Sequence, residues 1–286
     1  MIPTETDIAN AFIAACVAEI EAPKPGNVHR FADGHGMSVK DFLTSADAAA
    51  ASLSRRNTRV GERIFDAVTA TKVAVNCNTN LGIILLAAPL AAGAELDEPL
   101  RAGLATVLTG LDIDDANAAF EAISIAAPAG LGTVEEQDVR GPATCSLSEA
   151  MMLASSRDRI ARAYTDDFDE IFGLGLTALD EAVERNISEW WPATAVYLAH
   201  LSAAPDSHIH RKHGLERAQA VRLEAKERQD DLLALADPEV ILERLLDFDR
   251  ALKASGLNPG TCADLTVATL FADRLQSILK KNAGSG

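Results

Sequence analysis

Apolar residues recur every three or four positions along most of the chain, the period of a helix with one face turned to a core. Ile8, Phe12, Ile13, Cys16, Val17 and Ile20 do so between residues 5 and 21 and predict an amphipathic helix. Ser38 with Asp41 has the spacing of a capping box and opens a helix to about Ser54. Another starts near Val60 and stops at Asn76. Ile83 to Gly93 is hydrophobic all round, which predicts a helix at the centre of the core. Ser146 with Glu149 is a second capping box, opening a helix expected to reach Ala163. Further helices are expected over Phe168 to Trp191, Ala193 to Ala203, Leu215 to Leu235, Pro238 to Ser255 and from Thr261 to about Lys281. β-Branched alternation is absent and alanine abounds, so the fold class expected is all-α with about ten helices. No linker, low-complexity tract or fixed-period repeat interrupts the pattern, which favours a single domain over 1–286.

Charge narrows the partners. With a formal net charge of -16 over 286 residues, the chain repels polyanions at long range, and no basic stripe is left to track a phosphate backbone. Nucleic acid is therefore not expected as a partner. The longest uncharged run, Val73 to Ala94, contains Asn76, Asn78, Asn80 and Pro89 and makes a poor membrane span. Cys16, Cys77, Cys145 and Cys262 lie far apart, with neither zinc spacing nor disulfide density. The first residues lack the basic region of a signal peptide, and a cytoplasmic, reducing location is expected.

Against that acidic background, cations concentrate in two places. Pro205 to Gly214 carries His208, His210, Arg211, Lys212 and His213 behind Asp206. Such a cluster suits an anion, and Asp206 adds a carboxylate able to hold Mg2+ or accept a proton; the plainer reading is a solvated loop. Ala22-Pro23-Lys24-Pro25-Gly26 ends the first helix, and Lys24, His29, Arg30 and His35 follow in a glycine-bearing loop. Asn76, Asn78 and Asn80 either cap helices or present amides to a ribose, phosphate or base. Asp264 falls at the third position after Thr261, so it either caps a helix or faces a ligand. Pro128 to Pro142, long and glycine-rich, is either an active-site flap or a surface loop. His208-x-His210-x-x-His213 has zinc-like spacing, but on a helix positions two apart diverge.

Together, Pro23-Lys24-Pro25-Gly26-Asn27-Val28, Asn78-Thr79-Asn80-Leu81-Gly82, Asp206-Ser207-His208 with Arg211 and Gly214, and Pro259-Gly260-Thr261-Cys262-Ala263-Asp264-Leu265 resemble the triphosphoribosyl-dephospho-CoA synthase family, in the family's order. The resemblance implies an all-α transferase that takes ATP and dephospho-CoA, releases adenine and joins the triphosphoribosyl group to a ribose hydroxyl, making a prosthetic-group precursor. Asn78-Thr79-Asn80-Leu81-Gly82 stands where better-known members have Asn-Thr-His-Lys-Gly. Gly34-His35-Gly36-Met37 likewise lacks an aspartate of the family pattern. The chain thus resembles a divergent branch, of a kind that also occurs with one-carbon cofactor biosynthesis, so the acceptor is dephospho-CoA or a related acceptor, and the alternative is a related ATP-dependent step in making another cofactor such as a one-carbon carrier of the methanopterin or methanofuran type. A metal-dependent hydrolase is the rival class, and the assembly, monomer or homodimer, stays open. By this resemblance Lys24, Arg30, Arg211 and Lys212 would hold the triphosphate, and Asn78 and Asn80 would orient ribose or adenine. Asp206 and Asp264 would bind Mg2+ or activate the hydroxyl. His208 or His35 would protonate the departing base.

Overall fold

The structure, a computed structural model, describes residues 2–127 and 138–283. Among them are fourteen α-helices, one π-helical turn and no strand, so the protein is all-α as the periodicity predicts. The count exceeds ten because expected helices break. The one from Ser146 splits into α7 (Leu147–Ala154) and α8 (Arg159–Ala163), since the Asp158 side chain accepts from the amides of Ile160 and Ala161 and starts a fresh helix. The one from Phe168 becomes a π-helical turn (Glu170–Gly175) and α9 (Leu176–Arg185), stopped at left-handed Asn186. The basic cluster, expected as a loop, is itself a helix, α11 (Ser207–His213).

By its contacts the chain forms two compact units. The first comprises residues up to Cys16, Asp41–Asp169 and those from Phe271 onward; the second comprises Val17–Lys40 and Glu170–Leu270. In the first, α4 (Leu81–Ala94) is buried at every position but Ala92, as its all-round hydrophobicity predicts. It packs between α3 (Val60–Val75) and α5 (Leu100–Thr109). Pro89 sits inside α4 and has no N–H to give the carbonyl of Leu85, four residues back. Tyr164, just past α8, donates its hydroxyl to that carbonyl at 2.6 Å. A helix defect is thereby mended from outside.

The second unit is built on α10 (Trp191–Ala203), which packs against α9 and α12 (Leu215–Leu233). Trp191, Tyr197, Leu198 and Leu201 meet Val221 and Ala225 and, from α13 (Pro238–Ala254), Leu245, Phe248 and Leu252 in one apolar cluster. α1 (Glu5–Glu21) ends in this unit, and α14 (Gly260–Ala283) begins in it.

Tyr164→Phe keeps the ring and strands the Leu85 carbonyl. Denaturant unfolding should show a loss of about 1–3 kcal/mol with an unchanged far-ultraviolet circular dichroism spectrum; an unaltered midpoint would refute the repair.

Candidate active site

Every residue from Ala22 to His29 is buried, although the stretch holds a lysine, an asparagine and a histidine. Burial of such a segment requires a partner for each polar group. Pro23 and Pro25 reduce the demand by lacking N–H groups. The Pro23 carbonyl accepts from the Thr194 hydroxyl (3.0 Å) and the Pro25 carbonyl from that of Tyr197 (2.7 Å). The Gly26 amide donates to Asp249 (2.9 Å), and Asn27 donates its side-chain amide to Asn258 (2.8 Å). Gly26 has φ +84°, and a Cβ there would lie 2.8 Å from the Pro259 ring, so only glycine suits the position.

Lys24 is fully buried, its ammonium paired with the Glu19 carboxylate and 3.3 Å from the Asn27 side-chain oxygen. Burial lowers the Lys24 pKa and raises that of Glu19, each against the pull of the other, and Asp264 is near enough to favour the charged lysine. Lys24 is thus an interior cation with a counter-ion. Arg30 is exposed and pairs with Glu21 at 2.8 Å. His29 is buried; its Nδ1 accepts from the Phe31 amide (3.3 Å), which puts the ring proton on Nε2. That Nε2 lies 3.3 Å from Asp249 Oδ1, in ion-pair range but at an angle too poor for a hydrogen bond. His35 is exposed at the tip of a tight turn and directs Nε2 to the Gly26 carbonyl at 2.8 Å.

Asp206 joins two helix starts. One carboxylate oxygen accepts from the Ile209 amide in the first turn of α11 (3.0 Å), the other from the Cys262 amide in the first turn of α14 (2.9 Å). Because α14 opens at Gly260, ahead of the cap expected at Thr261, Thr261 lies inside it. Its hydroxyl serves the neighbouring helix, accepting from the His208 amide at 3.2 Å. Asp264 is half-buried within α14. Burial, followed by Arg211, Lys212, His35 and His213, pushes His208 down to about 4, so its imidazole is neutral at pH 7. Arg211, Lys212 and His213 are exposed in the last turn of α11, where cations also offset the helix dipole.

One unit therefore gathers Lys24, Arg30, His35, Asp206, His208, Arg211, Lys212 and Asp264. Asn78 and Asn80 belong to the other. There Asn78 accepts from the Leu81 amide (3.2 Å), and buried Asn80 donates to Thr71 (3.1 Å) and the Ser45 carbonyl (3.4 Å). The hollow beside them has a volume of about 10 Å³, room for about one water molecule and far too small for a small-molecule ligand. The flap expected over Pro128–Pro142 lies for residues 128–137 outside the described residues. His208 and His210 diverge on α11, and among the described residues no three His, Cys, Asp or Glu side chains cluster to hold a metal.

Sequence reasoning missed Glu19, Thr194, Tyr197, Asp249 and Asn258. Tyr197 is central: burial first, then Cys262, Asp206, Asp249 and Glu19, raise its pKa well above 10.0, leaving a neutral donor among carboxylates. Asp249 with Lys253 has the spacing of an ordinary surface pair on a helix, which hides a carboxylate that is almost wholly buried.

Burial lowers the His29 pKa from 6.5, outweighing the Asp249 carboxylate that would raise it. Below pH 6.5 the unfolded chain therefore takes up a proton that the native state refuses, so the unfolding free energy falls with pH. The melting temperature should be lower near pH 5 than near pH 7.5, and His29→Gln should flatten that slope; an equal slope in the variant would contradict the assignment.

The sequence profile of the ATP:dephospho-CoA triphosphoribosyl transferase (CitG) family matches residues 5–283. No curated protein matches the chain significantly. Among solved structures, a candidate triphosphoribosyl-dephospho-CoA synthase from Archaeoglobus fulgidus is similar, with a TM-score of 0.61 and 22% identity over 80% of this chain and 96% of that one. At that identity the likeness speaks for a shared fold. The profile spans the helices that carry the buried Pro23–His29 segment, Asp206 and the start of α14 alike, and by it this chain belongs to the ATP:dephospho-CoA triphosphoribosyl transferase family.

Proposed function

We propose that the polar cluster of the second unit carries the family reaction, with ATP as donor and dephospho-CoA as acceptor, and that residues 1–286 work as one domain. The reading rests on one observation: three sequence segments far apart in the chain are tied together by hydrogen bonds, those of Asp206 and Asn27 buried. Asp206 and Thr261 link the starts of α11 and α14, and Asn27 with Asn258 links the buried loop to the approach to α14. Asn78 and Asn80 serve the packing of the first unit, and the proposal is confined to residues of the second.

In the reaction the C1′–N bond to adenine breaks with its electron pair leaving on the base. An acceptor hydroxyl gives C1′ a new C–O bond and loses its proton, and a proton ends on adenine. The oxocarbenium-like character of C1′ favours nearby carboxylates, and the triphosphate favours cations. Arg211 and Lys212, exposed at the end of α11, meet the phosphates, arginine by paired bonds and lysine as a point charge. Lys24, neutralised by Glu19, acts from the interior. His208, neutral at pH 7, is a proton acceptor or hydrogen-bond donor. His35, whose Nε2–H is taken by the Gly26 carbonyl, is the imidazole assigned to the departing base: charged, it gives its Nδ1 proton to adenine and is left as the neutral Nε2–H form.

The fit to Mg2+ is chemical: Asp206 and Asp264 are hard oxygen donors of the kind Mg2+ takes. Bound there with ATP, Mg2+ would offset phosphate charge. All four cysteines are thiols, which supports a reducing cytoplasmic setting.

Incubated with ATP, Mg2+ and dephospho-CoA, the protein should release adenine, measured by chromatography, and none should appear without acceptor; failure with dephospho-CoA would exclude it as the acceptor. Asp206→Asn should cut release by roughly 10²–10³. Since an amide nitrogen then faces a helix N–H, it should also cost about 1–3 kcal/mol of stability. Unchanged turnover per folded molecule would remove Asp206 from the chemistry.

A further inference from the structure

His35 has a backbone that needs explaining. Gly34 and Met37 exchange both hydrogen bonds of a tight turn, amide to carbonyl at 3.2 and 2.9 Å, with His35 and Gly36 at the tip. Both central residues are left-handed, φ 55° and 74°, the signature of a type I′ turn. Glycine takes that conformation freely; a histidine there is uncommon and persists where something else fixes it. The fixing contact is the bond from His35 Nε2 to the carbonyl of Gly26, nine residues back.

Gly26 is itself gripped. Its amide donates to Asp249 Oδ1, and the same oxygen lies 3.0 Å from the Lys253 ammonium and 3.3 Å from His29 Nε2. Lys253 also donates to the Ala32 carbonyl at 3.0 Å, and its stem lies under Gly34, where a Cβ would come within 2.9 Å of it. One carboxylate thus governs the loop at Gly26, at His29 and, through Lys253, at Ala32 and Gly34. Asp249 stays ionised in this setting: burial would raise its pKa, but the nearby His29 ring and Lys253 ammonium hold it below 3.8.

We propose that Asp249 is the positioning residue for His35, clamping Gly26 from one side so that its carbonyl meets the imidazole on the other and keeps a proton on Nε2, which leaves Nδ1 as the atom that gives up its proton when the ring is charged and the neutral ring as the Nε2–H tautomer. The inference deepens the reading of His35 as proton donor to adenine and rests on it for its catalytic consequence, while the clamp itself rests on geometry alone. A residue that only stabilised the fold would leave the tautomer of an exposed histidine untouched.

The test pairs two readouts on Asp249→Asn, His35→Gln and the double variant. Imidazole ¹⁵N shifts should show His35 chiefly as the Nε2–H tautomer in the wild type and as a mixture in Asp249→Asn. Adenine release should fall roughly 10–100-fold in Asp249→Asn. In the His35→Gln background the same change should cost no more than about twofold, because the two act as one unit. An unaltered tautomer in Asp249→Asn, or rate losses that multiply in full, would overturn the proposal. Should the wild type release no adenine, the assigned reaction falls, and the ¹⁵N shifts alone still decide whether the clamp exists. If His35→Gln is silent in an active enzyme, His35 is not the donor and the proposal falls with it. If Asp249→Asn does not fold, Asp249→Glu, which keeps the charge but lengthens the reach, is expected to perturb both readouts in the same direction, and its failure to do so would count against the clamp.

Discussion

A single carboxylate at the start of two helices is the constraint on which the second unit depends. Helix starts leave amides without intrahelical partners, and an anionic acceptor is favoured there by the dipole as well. Asp206 answers an amide of α11 and an amide of α14 together, so neither helix can shift without the other. Thr261, relieved of capping duty, is spent on the His208 amide and adds a second tie between the same two elements. His208, Arg211, Lys212 and Asp264 owe their relative placement to this joint.

The same unit separates its charges by depth. Glu19 and Lys24 form an interior pair, and such a pair is held by mutual attraction against heavy desolvation, so removing either partner is worse than never having had them. Arg211, Lys212 and His213 stand in solvent at the end of α11. In a chain of net charge -16, the cations placed at the surface to meet a polyanion are Arg211 and Lys212, and the interior lysine contributes field more than contact.

Helix periodicity made the all-α class legible, and the all-apolar α4 was placed correctly at the centre of its unit because burial on every side leaves a plain compositional trace. Boundaries set by a single side chain were less visible: Asp158 divides one expected helix, and Asn186 ends another. The candidate site was half legible. Motif segments pointed to Lys24, His35, Asp206, His208 and Asp264, which the fold gathers in one unit. Asn78 and Asn80 looked alike on paper, but their amides turn to local backbone and hydroxyl groups. Glu19, Asp249 and Asn258 escaped notice because they act on residues distant in sequence, Asp249 on Gly26 across 223 positions, and nothing local to a helical aspartate reveals such a partner.

Gly260 stands against the ring of His208, where a Cβ would come within 2.8 Å of Nδ1. Any side chain at 260 must evict the imidazole, and any bulkier group at 208 must find its space already filled by backbone. Two segments that sit 52 positions apart are therefore under one steric contract, and across related chains they should covary, a residue larger than glycine at the first occurring only beside something smaller than histidine at the second.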